Sequence, residues 1–314
     1  MPEAIINSAQ AAPKNIATGV LLALAGSIAF SGKAIIVKLG YRYGVDAVTL
    51  LMYRMLLALP FFLVLSWWAG KGQAAITRKD WGRILFLGFS GYYLASFLDF
   101  AGLQYISASL ERLILYLNPT LVLLLGWFVW RKKITHLQWT AFALSYAGVL
   151  LVFGHELLQS GATVGGSSSP AAAGVGSALV FASAVSYALY LSFSGELVQK
   201  LGSLRLAGLA TSVACLLCIL QFVLLRPFSA AAVPTPVLWL SLLNATACTI
   251  APVLMVMMAI ERLGAAKTSQ IGMVGPLATI FLGVVFLGEP LNAWIIAGTV
   301  LVLSGVYLVS NSKK

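Results

Sequence analysis

The sequence predicts an all-α integral membrane protein with about ten transmembrane helices, arranged as two inverted repeats of five helices each. First, 60% of the 314 residues are hydrophobic and only 9% are charged, a composition outside the range of soluble domains. Second, the apolar residues form ten long runs, each close to the ~20 residues that a helix needs to cross ~30 Å of hydrocarbon. Third, the second half of the chain resembles the first at a shift of 157 positions, as from Pro119 to Pro276.

The apolar runs define the spans in chain order. They cover 17–38, 46–68, 82–103, 107–129 and 136–154 in the first half, and 174–194, 205–225, 237–260, 264–287 and 291–310 in the second. Unbroken apolar runs predict helices, because the strands of a membrane barrel would alternate polar and apolar residues. The chain therefore divides into a tail over 1–16, a first repeat over 17–154, a Gly/Ser-rich linker over 155–173 and a second repeat over 174–311.

The repeat is marked by proline and glycine. At the same shift that superimposes the two prolines, Gly126 falls on Gly283 and Gly148 falls on Gly305. Duplicated hydrophobic units of this kind are typical of secondary transporters, whose substrate sites lie where the two halves meet.

The formal charge of +11 reflects membrane topology rather than nucleic-acid binding. Fourteen of the twenty Lys and Arg residues fall in the termini or in the loops after even-numbered spans. The positive-inside rule then places both termini in the cytoplasm, and we expect a multi-pass protein of the cytoplasmic (inner) membrane. Because five spans per repeat is an odd number, the second repeat enters the membrane from the opposite side, which makes the repeats inverted.

The closing stretch of the second repeat carries a resemblance to a known family. Its features are a run of small residues before Pro276, the turn Gly288-Glu289-Pro290 and a glycine-containing last span. With the duplicated five-span unit, they resemble the EamA family of the drug/metabolite transporter superfamily over roughly 17–310. The first repeat departs from the pattern, since Arg131 and Lys132 stand where the second has Gly288 and Glu289. The resemblance implies secondary transport of small metabolites, often export, and names no substrate.

Five ionisable residues lie well inside the predicted spans: Lys33, Arg54, Asp99, Glu111 and Arg112. A charge at mid-bilayer costs ~2.5–3.5 kcal/mol on insertion scales, so these residues indicate a paired or water-filled interior. Cations outnumber anions by one, which favours a substrate carboxylate or zwitterion held by the three cations, above all by Arg54 or Lys33. The two acids are candidates for proton coupling. The alternative is a set of buried pairs, such as Asp99 with Lys33 or Arg54, that fixes helix packing.

Aromatic and polar residues recur at helical spacing on two spans. Tyr92, Ser96 and Asp99 share a face of the third span, and Ser183, Tyr187 and Tyr190 share a face of the sixth. The repeat places Tyr187 and Tyr190 on Phe30 and Lys33. These faces predict a substrate cavity that includes Tyr92, Tyr187 and Tyr190. Interfacial tyrosines, or hydroxyls bonded across helices, are the alternative.

Matched breaks interrupt the fourth and ninth spans. A proline within a span frees a backbone carbonyl, which is tolerated where a helix lines a cavity or bends during transport, and a plain packing kink is the alternative. Pro119 and Pro276 mark these breaks, and the remaining candidate substrate contacts are Tyr116, Asn118, Asn244, Gln270 and Met273.

These observations predict a secondary transporter that exports small metabolites such as amino acids or organic acids by alternating access, with proton coupling as an option. A passive channel or facilitator is the alternative, which saturation and counterflow would distinguish. We expect no enzyme, cofactor or metal site, because no metal-ligand spacing or nucleophile–base pair is visible. The expected partners are a small-molecule substrate and the lipid bilayer, without nucleic acid; a homodimer is left open.

Overall fold

The computed structural model describes residues 16–131, 133–159, 169–263 and 265–311. Within these ranges every regular element is a helix. Eight helical spans are long and apolar enough to cross a membrane by length and composition, and two shorter apolar segments, Val274–Leu287 and Ala293–Val309, bring the number to ten. The predicted all-α class with about ten helices is confirmed.

The first repeat contains seven α-helices that form five spans. They are α1 (Ile16–Tyr41), α2 (Ala47–Gly70), α3 (Arg78–Leu87), α4 (Ala95–Leu103), α5 (Ala108–Leu115), α6 (Asn118–Trp130) and α7 (His136–Gln159). A π-helical segment, Gly88–Leu94, joins α3 to α4 in the third span, and a two-residue break separates α5 from α6 in the fourth.

The second repeat has the same plan. Its helices are α8 (Pro170–Leu201), α9 (Ser203–Leu225), α10 (Thr235–Ala245), α11 (Ala251–Leu263), α12 (Ala265–Gly272), α13 (Val274–Leu282) and α14 (Ala293–Asn311). The π-helical segment Thr246–Ile250 joins α10 to α11 in the eighth span, and a one-residue break at Met273 separates α12 from α13 in the ninth. A second π-helical segment, Gly283–Leu287, completes the ninth span.

Helices extend further than the hydropathy pattern predicts. The third span begins at Arg78 because Thr77 caps it, with its side chain accepting a hydrogen bond from the Asp80 amide. The predicted 155–173 linker is shorter than expected, since α7 continues to Gln159 and α8 begins at Pro170. Ser169 caps α8, and a proline is favourable in that first turn. The part of the linker over 160–168 and the tail over 1–15 lie outside the described residues.

Asp46 fixes the start of α2. Its carboxylate accepts hydrogen bonds from the Val48 amide (2.9 Å) and the Thr49 hydroxyl (2.8 Å), and it lies 3.2 Å from Arg226 Nε. Burial raises the pKa of Asp46, but the hydrogen bonds and the charge of Arg226 outweigh it, so the pKa lies below its ordinary value.

Two departures from α-helical geometry recur in both repeats, whereas the π-helical segment Gly283–Leu287 has α-helix at its equivalent in the first. The shift of 157 positions carries the first π-helical segment onto 245–251, which spans the one observed in the eighth span. It also carries Arg131 onto Gly288, and both end their helices in the left-handed conformation, with φ of 51° and 71°. For Arg131 that conformation is unusual, whereas glycine adopts it freely. The register read from the sequence therefore matches the backbone.

The two repeats pack against each other through equivalent helices. Span 2 (α2) packs on span 7 (α9) and span 5 (α7) on span 10 (α14). At this last crossing a Cβ built on Gly148 would lie 2.6 Å from the Gly298 carbonyl oxygen, and one on Gly305 would lie 2.6 Å from that of Ala141. The repeat shift carries Gly148 onto Gly305 and Ala141 onto Gly298, so each contact is the equivalent of the other. An approximate two-fold axis therefore relates the two halves.

Candidate functional site

A cavity of about 420 Å³ lies between the two repeats, and we call it the central cavity. This volume lies in the range of small-molecule sites. Eight spans contribute to its wall, all except the fifth and tenth. The predicted residues on the wall are Lys33, Arg54, Tyr92, Asp99, Arg112, Tyr116, Asn118 and Tyr187.

The wall is built from repeat-equivalent positions. At the 157-residue shift the wall pairs include Phe30 with Tyr187, Arg54 with Thr211, Tyr92 with Thr249, Asp99 with Val256 and Leu115 with Gly272. Every charge on the wall comes from the first repeat, and every partner in the second is neutral. The cavity therefore lies on the approximate two-fold axis, but its charged groups all lie on the side formed by the first repeat.

The charges lie toward one end of the bundle, which we call the loop end, where α1 ends and α2 begins. Lys33 is in the second half of α1, Arg54 is two turns into α2, and Asp99 is about one turn before the end of the third span. Because equivalent residues of inverted repeats lie at opposite depths, Thr211 and Val256 extend the cavity toward the other end, where α1 begins. We call that the tail end.

Lys33 forms ion pairs with the two carboxylates nearest the cavity, Asp99 and Glu111. Its ammonium forms an ion pair with Asp99 Oδ2 and lies 3.3 Å from Glu111 Oε1, and all three side chains are buried. Of the two pairings open from the sequence for Asp99, the structure shows the one with Lys33. Glu111 is fully buried and does not line the cavity, so it lies behind Lys33 as seen from the cavity.

Arg54 has no carboxylate partner among the described residues. Its Nε donates to Thr249 Oγ1 at 2.9 Å, its guanidinium lies 5.4 Å from the Phe100 ring centroid, and its buried Nη1 has no hydrogen-bond partner in that part of the chain. Thr249 lies in the eighth-span π-helical segment and also donates to the Asn244 carbonyl at 2.9 Å. A π-helical turn re-aims side chains, and here it turns a threonine toward the arginine.

Arg112 is also without a carboxylate partner in the described chain. Its Nη2 lies 3.2 Å from Ser31 Oγ, its guanidinium lies 5.2 Å from the Phe30 ring, and its buried Nε has no partner there. Gly275 makes this arrangement possible, because a Cβ at that position would lie 2.9 Å from Arg112 Nη2 and 2.7 Å from the Tyr116 hydroxyl.

Tyr116 supplies a hydrogen-bond donor at the break in the ninth span. Its hydroxyl donates to the Gly272 carbonyl oxygen at 2.5 Å. Gly272 is four residues before Pro276, so its carbonyl is the acceptor that the proline leaves without an N–H donor. A residue of the first repeat thus donates a hydrogen bond to the carbonyl that the break in the second repeat leaves free. Asn118, at the equivalent break of the fourth span, lines the cavity, and its Oδ1 has no partner among the described residues.

The three predicted tyrosines of the third and sixth spans form one group, but only two reach the cavity. Tyr92 and Tyr187 line it. Tyr190 is buried behind them, with its ring 5.6 Å from that of Tyr187 in a stacked geometry and 5.1 Å from that of Tyr92 in an edge-on geometry. The predicted substrate contact at Tyr190 is therefore a packing contact in this structure, because it fills the space that Gly91 leaves open.

Two other predicted contacts, Asn244 and Met273, do not line the cavity. Asn244 is buried in α10, at the start of the π-helical segment, and Met273 packs against the apolar cluster that contains Leu110 and Ile280. Gln270 is in α12, but its side chain lies outside the described residues. Pro119 and Pro276 shape the helix breaks without lining the cavity.

Several wall residues were not predicted from the sequence: Ser27, Phe62, Thr211, Thr249, Pro252 and Val256. A signal existed for some of them. Applying the repeat shift to Arg54, Tyr92 and Asp99 gives Thr211, Thr249 and Val256, and these residues are inconspicuous only because they are neutral. For Phe62 the sequence offered no comparable signal.

At the loop end, polar side chains tie the two repeats together. Glu289, in the turn before α14, accepts hydrogen bonds from the Ala108 amide (2.7 Å), the Ser109 amide (3.2 Å) and the Ser109 hydroxyl (2.8 Å) at the start of α5. Arg42 donates to the Leu287 carbonyl at 3.0 Å. A carboxylate at a helix N-terminus is favourable because it meets free amides and the positive end of the helix dipole.

Comparison with known proteins places the chain among membrane transporters. It matches the EamA-like transporter family over 17–154 and 174–311. It is similar to the uncharacterized transporter YcbK of Bacillus subtilis, with 29% identity over 290 residues that cover 89% of this chain and 88% of the relative.

A second relative, the uncharacterized transporter YetK of the same species, is 26% identical over 307 residues, covering 94% and 88% of the two chains. A solved crystal structure superimposes with a TM-score of 0.60 over 93% of this chain and 96% of its own at 17% identity, which supports the fold alone. With both repeats matched, the chain belongs to the EamA-like transporter family.

Proposed function

We propose that this protein is a secondary transporter that moves small carboxylate-bearing metabolites, such as amino acids or organic acids, across the cytoplasmic membrane by alternating access. One observation carries the proposal. Two buried guanidinium groups, those of Arg54 and Arg112, face a cavity inside the membrane without a carboxylate partner among the described residues. A desolvated cation without a counter-ion is costly, and a substrate carboxylate would offset that cost.

The geometry suits recognition of a carboxylate with an apolar or aromatic remainder. A guanidinium presents a planar fork of donors that matches a carboxylate, and Arg54 has its Nη1 free for this contact. The rings of Phe30 and Tyr187, which are repeat equivalents, line the cavity beside the charges and would pack against the rest of the substrate.

Alternating access is supported by the arrangement of the repeats. Cross-repeat ties are present at both ends, and at the tail end they include the ion pairs of Lys200 with Asp80 and of Arg83 with Glu196. The extension of the cavity toward the tail end is therefore the observation that favours a state opening there. The basic residues of the loops at that end support its assignment to the cytoplasm, and hence loading from the cytoplasm for export. The helix breaks and π-helical segments that border the cavity are the places where the spans can bend.

Proton coupling would use the carboxylates that Lys33 holds. Protonation of Asp99 or Glu111 would remove one negative charge from the cluster and raise its attraction for a substrate anion. We expect uptake of one proton to accompany substrate binding, and Asp99→Asn or Glu111→Gln to abolish the dependence of transport on a pH gradient.

The test is transport in proteoliposomes with a panel of radiolabelled amino acids and mono- and dicarboxylic acids. We expect saturable uptake and counterflow, which a passive channel lacks, and a rise in KM of at least about tenfold in Arg54→Ala from the loss of a charge-assisted contact. Arg83→Ala is the matched control, because Arg83 pairs with Glu196 on the surface. If Arg54→Ala transports every substrate as the wild type does, Arg54 does not anchor the carboxylate.

A further inference from the structure

The pairing of the buried charges decides what the central cavity can bind. Three buried cations and two buried carboxylates surround the central cavity, so any one-to-one pairing among them leaves at least one cation free; the other buried carboxylate of the described residues, Asp80, pairs with Lys200 at the start of α3. What the cavity can bind therefore depends on which cation forms ion pairs with Asp99 and Glu111. In this structure Lys33 takes both of them, and neither Arg54 nor Arg112 has a carboxylate within salt-bridge distance among the described residues.

We propose that Lys33 is a positioning residue that sets the charge specificity of the cavity. By holding Asp99 and Glu111, it keeps the guanidinium groups of Arg54 and Arg112 unpaired and available to a carboxylate. Lys33 does not itself bind the substrate anion. This inference rests on the proposed function for its consequence in transport, but the pairing on which it depends can be tested without a substrate.

The geometry shows why Asp99 needs to be restrained. It is the acidic residue on the described cavity wall, and Arg54 is on the same wall. Arg54 already lies over the ring of Phe100, the next residue after Asp99. Asp99 Oδ1, the oxygen that does not face Lys33, has no hydrogen-bond partner in the described chain. Without the lysine, Asp99 would be free to turn this carboxylate toward Arg54 and neutralise it.

A lysine suits this position better than an arginine would. An ammonium group is a compact charge with three donors, so it can serve two carboxylates from different helices at once. Asp99 comes from α4 and Glu111 from α5, and Lys33 reaches both from α1. The equivalent of Lys33 in the second repeat is Tyr190, which is neutral, so the second repeat has no such arrangement.

The reactivity of Arg54 toward phenylglyoxal, which modifies guanidinium groups, tests the pairing in the full-length protein. The extent of modification at Arg54 is measured by mass spectrometry of its peptide. We expect Lys33→Met to slow this modification at least about tenfold, because a buried ion pair with Asp99 would shield the guanidinium. The double variant Lys33→Met/Asp99→Asn should restore the rate to within about twofold of the wild type. Lys33→Arg should leave the rate near the wild-type value, because this test requires only that a cation holds Asp99, even where it serves Glu111 less well.

Lys38→Met is the matched control. Lys38 is a half-buried lysine of the same helix, but it donates to the Ile106 carbonyl at 2.6 Å and holds neither carboxylate of the cluster. We expect it to leave Arg54 reactivity unchanged. If Lys33→Met fails to fold, the Asp99→Asn variant tests the pairing by itself. Its Arg54 should react with phenylglyoxal at the wild-type rate, because in the wild type Asp99 is already paired with Lys33.

Three results would overturn the inference: unchanged Arg54 reactivity in Lys33→Met, a double variant that stays as slow as the single one, or a marked rise in Asp99→Asn. Failure of the proposed function gives a different result. In that case the reactivities follow the expected order, but Arg54→Ala transports every carboxylate normally. If transport depends on Arg54 and the reactivities do not follow that order, the proposed function stands and the role of Lys33 is wrong.

Discussion

Glu289→Gln is the substitution that best tests the tie between the repeats at the loop end. One carboxylate oxygen accepts from the Ala108 amide at 2.7 Å, and the other accepts from the amide and hydroxyl of Ser109 at 3.2 and 2.8 Å. Glutamine replaces one of these acceptors with an NH₂ group, which would face a donor. It also removes the negative charge from the N-terminus of α5. A charge at a helix end is worth about 0.3–1 kcal/mol when exposed and up to ~2 when partly buried, so we expect a loss of about 1–2 kcal/mol.

Hydrogen–deuterium exchange measures this loss where it occurs. A loss of about 1–2 kcal/mol in local stability speeds exchange of the Ala108 and Ser109 amides by roughly 5–30-fold. Glu196→Gln is the matched control, because its side chain is 76% exposed and pairs with Arg83 at the surface, where such pairs contribute about 0–1 kcal/mol. If Glu289→Gln changes this exchange less than twofold, or no more than Glu196→Gln does, Glu289 does not stabilise the start of α5.

Three further predictions follow from the packing and the caps, each checked by thermal unfolding in detergent. Gly148→Val should destabilise the protein by at least about 1–3 kcal/mol, because its side chain meets the backbone of α14, whereas Gly154→Val, with open space around it, should not. Tyr116→Phe should cost about 1–3 kcal/mol by leaving a carbonyl of the ninth span unsatisfied, while Tyr307→Phe, on the exposed surface, should be neutral. Asp46 has a pKa below its ordinary value of about 4, so it stabilises the folded state above that pH and this contribution is lost as the pH falls through the lower folded-state pKa. The Tm difference between wild type and Asp46→Asn should therefore be present at pH 6 and shrink at pH 3.

Much of the fold could be predicted because hydropathy and repetition are local or nearly local signals. The spans, their number and the equivalence of Pro119 and Pro276 follow from residue order alone. The ends of helices were less predictable. A cap such as Thr77 or Ser169 extends a helix beyond its apolar core, and hydropathy does not register it.

The candidate site could be predicted only in part. The charged residues and two of the three tyrosines were conspicuous, because charge and polarity inside a span are rare, and they do line or border the cavity. Tyr190 was misplaced because helical spacing identifies a face but not the depth at which that face is covered by a neighbouring ring. The π-helical segments also shift the register of a face partway along a span, so a uniform period of 3.6 residues fails across them.

The sequence by itself determined that this chain crosses a membrane, that it does so as two equivalent units of opposite sense, and that all its interior charges belong to the first unit. Composition and order suffice for these properties, since each depends on residues within one span or at one fixed shift. Only the tertiary structure decided which cation takes the two carboxylates. That choice depends on distances between side chains of α1, α4 and α5, which are set by packing and not by spacing along the chain.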